Sequence, residues 1–103
     1  MKAPEFMDRL FAWVRGDLAA KCTSPLTAMA VGAASCGVGR RIVESKVAPY
    51  LSLCAGPDGE LDVPGIRESA LAGFNAAKSV PVLGGAISLD AQDARDFFAT
   101  LPE

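Results

Sequence analysis

The sequence predicts a mostly helical α+β domain: three or four N-terminal helices, a two-stranded β-hairpin over about residues 79–89, and a C-terminal helix. Three observations predict it. Apolar residues recur at helical spacing through most of the chain. One stretch, "SVPVLGGAISLD", breaks that period with two β-rich runs around paired glycines. The length of 103 residues fits a single domain, 1–103, with one modest core.

Pro4 to Leu18 reads as the first helix. Phe6, Leu10, Phe11, Val14 and Leu18 form a stripe, with Asp8, Arg9, Arg15 and Asp17 largely opposite. Pro4 suits a first turn. Trp13 lies off the stripe, which sets it at the flank of the core or against a partner. Met7 is a second candidate initiator, which would make "KAPEF" a cloning remnant and leaves the native status of residues 1–6 open. "CTSPL" is a break and restart, with Ser24 as cap and Pro25 in the first turn. A second helix then runs in one piece through "LTAMAVGAASCGVGRRIVESK". Its Ala28, Gly32, Ser35, Cys36 and Gly39 make a small-residue face. Each Gly costs a helix about 1 kcal/mol relative to Ala, and close packing of another helix would offset that. Pro49 is expected to kink or end this helix near Ser45–Ala48, with a short helix "PYLSLC" after it.

"GPDG" is a turn by composition. Asp62 caps a helix from Val63 to about Lys78, lined on one side by Ile66, Ala70 and Phe74. In the hairpin, Val80 and Val82 share a face, as do Ile87 and Leu89. Pro81 confines its strand to an edge. Asp90 caps the last helix, with Asp93 completing a weak capping box. Ala94, Phe97, Phe98 and Leu101 form that helix's apolar side. A lone hairpin is marginal in water. It must pack on helices or extend its sheet through a second copy, which points to a homodimer.

Composition narrows the function classes. Half the residues are apolar and 21% are charged, a globular balance. The net charge of −2 lacks the clustered basic excess of a nucleic-acid surface. The three cysteines, Cys22, Cys36 and Cys54, form no C-x-x-C and no even framework, so free, mostly buried thiols in a reducing cytoplasm are expected. The charged N-terminus is no signal-peptide core. Leu26 to Val38 is apolar but shorter than the ~20 residues a membrane span needs, and is read as a buried helix of a soluble protein.

The motifs that suggest chemistry fail on register. An EF-hand needs oxygen ligands at loop positions 1, 3, 5 and 12 around a central Gly. With Gly59 as that Gly, Leu53, Ala55 and Gly65 occupy positions 1, 3 and 12, so no calcium is expected. "GAASCGVGRR" lacks the Gly-Lys-Ser/Thr of a phosphate loop, and Ile42 stands where a dinucleotide fingerprint needs its third Gly. The chain has no His, which removes the usual base for a Ser or Cys nucleophile and the usual zinc ligand. Ser45–Lys46 and Ser79–Lys78 are adjacent pairs that point apart on a helix. Asp90 with Asp93, and Glu60 with Asp62, read as caps and turns. No metal, cofactor or enzymatic activity is expected. Arg40, Arg41 and Lys46, with Lys21 beside them, make a small basic patch that is a candidate phosphate contact; a solvated helix end explains it as well.

The tail pattern "DGELDVPGIRESALAGF…VPVLGGAISLDAQDARDFFATL" resembles small uncharacterised proteins encoded by bacteriophages and prophages. Asp58 to Asp62, Val80 to Leu89 and Leu89 to Asp93 carry the resemblance, and the N-terminal half departs from it. The resemblance implies a fold outline and a gene context, with no site residues. The expectation is a small cytoplasmic interaction or assembly protein, non-enzymatic, working as a homodimer or with a protein partner and without a membrane. Its candidate interface residues are Gly32, Ser35, Cys36, Gly39, Val80 and Val82. The alternative is a nucleic-acid-associated regulator using the basic patch.

Overall fold

A computed structural model describes residues 1–102. The protein is 72% helical, with five helices and an antiparallel two-stranded hairpin ahead of the last of them. The mostly helical α+β class read from the sequence is the one observed. The chain forms two compact units, Met1–Leu61 and Asp62–Glu103.

The first unit begins with α1, Ala3–Trp13, which continues into a π turn over Val14–Leu18. Phe6, Met7, Phe11, Trp13 and Leu18 are all buried. The π turn explains why Trp13 is inside although it misses the α-helical stripe. A π turn closes i→i+5 bonds, so Leu18 follows Trp13 at the spacing that keeps both on one face.

The long second helix expected from the sequence is two helices. α2 spans Pro25–Ser35 and α3 spans Gly37–Leu53, and Cys36 alone separates them in an extended conformation (φ −145°, ψ 161°). Gly37 takes the left-handed φ of +56° that reverses the chain. At Gly39 a Cβ would lie 1.8 Å from the Ala33 carbonyl oxygen, so no larger residue fits. The glycines therefore build a corner between two helices, where the sequence reading had them grooving one. Nor does Pro49 end the helix: α3 runs through it to Leu53. Pro49 and Ser45, whose carbonyl loses its helical donor, are both exposed, so water can serve the orphan group. α1 and α2 each pack on α3, and the π turn packs on α2.

The unit closes on itself. The Leu61 amide donates to the Met1 carbonyl at 2.9 Å, and Lys2 pairs with Glu60 in an antiparallel bridge. The Met1 amino group pairs with the Glu60 carboxylate. Lys2 Nζ donates to the Asp58 carbonyl at 3.0 Å. The Asp58 carboxylate accepts from the Glu60 amide at 3.0 Å, and Gly59 sits at φ +80°. The stretch resembling a calcium loop is thus a turn bound to the N-terminus. Leu61 is buried beside it.

The second unit opens with α4, Val63–Ala77, capped by Asp62, whose Oδ1 accepts from the Gly65 amide at 3.1 Å. Strands β1, Ser79–Val82, and β2, Ile87–Asp90, follow, and α5, Ala91–Ala99, ends the fold. The register pairs Val80 with Leu89 and Val82 with Ile87, placing all four side chains on one face. The turn needs positive φ at Leu83, Gly84 and Gly85. Asp90 and Asp93 form the full capping box: Asp90 accepts from the Asp93 amide at 3.1 Å and Asp93 from the Asp90 amide at 3.0 Å. β1 lies against α4 and β2 against α5. Ala94, Phe97 and Leu101 are buried.

Candidate functional site

The residues marked for chemistry are drawn into structure. Arg40 Nε donates to Glu44 at 2.6 Å, its Nη2 pairs with Asp8, and its guanidinium stacks over the Phe11 ring at 4.8 Å. Glu44 first, then Asp8, holds the Arg40 pKa above its ordinary value. Arg40 is therefore a clamp between α1 and α3. Arg41 and Lys46 are exposed and make no ion pair among the described residues. That leaves the candidate phosphate patch without its central member.

The small-residue face also divides. Ser35 is only 1% exposed; its Oγ donates to the Gly32 carbonyl at 3.1 Å, and its own carbonyl accepts from Arg15 Nη1 at 3.4 Å. Gly39 is spent on the corner. Gly32 and Cys36 face water, and a Cβ on Gly32 would meet nothing within 4 Å. Cys36 is exposed and Cys22 and Cys54 are half-buried, so the expected set of buried thiols is not found.

The hairpin offers little edge for a second copy. Pro81 has no N–H, so its pair with Ser88 cannot be one that exchanges two hydrogen bonds. Val80–Leu89 and Val82–Ile87 take that role, and Ser79, Pro81, Ser88 and Asp90 point their backbone outward. Of these, Pro81 has no donor and the Asp90 amide is taken by Asp93. Val80 is at 36% exposure and Val82 is half-buried. With helices against both strands, the hairpin finds its neighbours inside its own unit.

The open surface lies instead on α2 and α3, including the stretch from Leu26 to Val38 that its apolar composition marks as a buried helix. Each helix carries two apolar sides. Inward on α2 are Val31 and Ser35; outward are Leu26, 75% exposed, and Met29, 71% exposed. Inward on α3 are Val43, Val47 and Leu51. Outward are Val38, Ile42, Pro49 and Leu53, at helical steps of three and four residues once Ser45 is counted, with Tyr50 beside them. Leu26 and Met29 on α2, and Val38, Ile42, Tyr50 and Leu53 on α3, are each more than half exposed, an unusual number of large apolar side chains to leave in water. From Cys22 to Gly39 no residue carries a charge. Lys46 falls within the outward side of α3, four residues from both Ile42 and Tyr50, and Arg41 lies to one side of it.

No family model matches the chain, and neither the curated proteins nor the solved structures give a match. No helix among the described residues is long and apolar enough to cross a membrane.

Proposed function

We propose that this protein works by binding, as a protein-docking module that uses the outward side of α2 and α3 rather than a catalytic pocket. One observation carries the reading: an uncharged, largely apolar helix keeps Leu26 and Met29 in water, and α3 carries exposed apolar residues of its own. Leaving such side chains wet is unfavourable, and a partner surface removes the penalty. The lack of histidine fits a binding role. A phosphate-binding role is less well supported, because Arg40 is committed to Asp8, Glu44 and Phe11.

The test is the fluorescence of an environment-sensitive apolar dye on the purified chain. The wild type should enhance it, and Ile42→Glu with Leu53→Glu should abolish most of the enhancement while helical circular dichroism stays unchanged. Equal enhancement by wild type and variant would remove the face from consideration.

A further inference from the structure

Along the outward side of α2 two large side chains are followed by two small ones. Leu26 and Met29 stand proud of it, and Gly32 and Ala33 follow, both exposed. The space where a side chain at Gly32 would begin is empty to 4 Å. We infer that the occupant of this face is a second copy of the same chain, packed α2 against α2, antiparallel, across a two-fold axis near Met29. The inference rests on the docking role of the face and names its partner.

The spacing is self-complementary. In an antiparallel pair centred on position 29, position 26 of one helix lies opposite position 32 of the other. Each Leu26 then seats on the other copy's Gly32, and the two Met29 side chains meet at the axis, where a flexible thioether adapts its shape. A two-fold contact needs one patch to complement itself in this way. Small residues let two helix backbones come close enough to fill the gap.

Charge points to the same occupant. An uncharged helix can meet its own copy without bringing like charges together, whereas a partner chosen by charge would find no counter-ion on α2. Arg41 and Lys46 belong to α3, not to the helix that pairs. A helix that lies on a lipid surface carries a strongly charged polar side, which α2 lacks.

Size exclusion with light scattering on the full chain, at several concentrations, decides the matter. The wild type should run at about twice 10.7 kDa. Gly32→Leu and Leu26→Glu should each weaken the dimer about 30-fold or more, as for central interface residues. Gly32→Leu is the sharper variant, because it puts a better helix former into open space and so should fold at least as well as wild type. A wild-type dimer that both substitutions leave intact overturns the α2 pairing, while the docking face stands or falls separately on the dye signal of Ile42→Glu with Leu53→Glu. A wild-type monomer whose dye signal is lost in Ile42→Glu overturns the second copy and leaves the docking face standing. A monomer with no dye signal overturns both. A monomer that floats with phosphatidylglycerol vesicles overturns the second copy and assigns the face to lipid.

Discussion

Gly32 and Gly39 belong to one short run of small residues, yet substitution should move them in opposite directions. At Gly39 an added methyl meets the Ala33 carbonyl oxygen, and backbone cannot step aside cheaply. Gly39→Ala should cost about 3 kcal/mol. Thermal melting should show it as a fall of roughly 10 °C or more. Gly32→Ala meets open space and should raise helix stability by up to about 1 kcal/mol, read by denaturant unfolding at low protein concentration. The basic patch divides the same way. Arg40→Ala should lower the melting midpoint, since it strands Asp8 and Glu44 and uncovers Phe11, whereas Arg41→Ala should leave it unchanged. The sequence made these pairs look alike because composition records what a residue is and not which neighbour faces it. Cys36 shows the limit best: helical spacing put it among small residues on a presumed packed face, and a single break in the helix turned it to water.

Among the elements, the ones with local signals were legible. Asp62 and Asp90 were readable as caps, and the Gly84–Gly85 hairpin as a turn, because each depends on atoms only a few residues away. Asp90→Ala should cost about 1 kcal/mol by removing the capping box, measurable by chemical denaturation. The α2–α3 corner was not legible, since the same glycines serve a groove in one helix or a reversal between two. Pro49 was read as kinking or ending the helix, and of the two the ending does not occur, because the penalty of a helical proline is a tendency that neighbouring turns can override. That penalty still acts in the folded chain. Pro49→Ala should restore the bond to Ser45 and raise stability by about 1–3 kcal/mol, visible as a higher denaturation midpoint. The candidate docking face was half legible: its small residues were named, while Leu26, Met29 and Val38 fell in a stretch read as a buried helix.

For the whole molecule, the first six residues are part of the fold. Phe6 is buried in the first unit, and Met1 is hydrogen-bonded to Leu61. A chain started at Met7 should lose about 3–5 kcal/mol in that unit, the usual cost of removing a core Phe, and a cooperative melt shifted to lower temperature would report it. The closure between Met1–Lys2 and Glu60–Leu61 has a mechanical consequence as well. It joins the two ends of the unit, so a pull applied at those ends reaches the closure before the helices between them. Its bonds lie in antiparallel register and would open one after another, as a zipper does, at low force. A pull between Met1 and the Leu61–Asp62 junction should therefore part this clasp before it loads the Phe6–Phe11 core, as a two-step force trace would report.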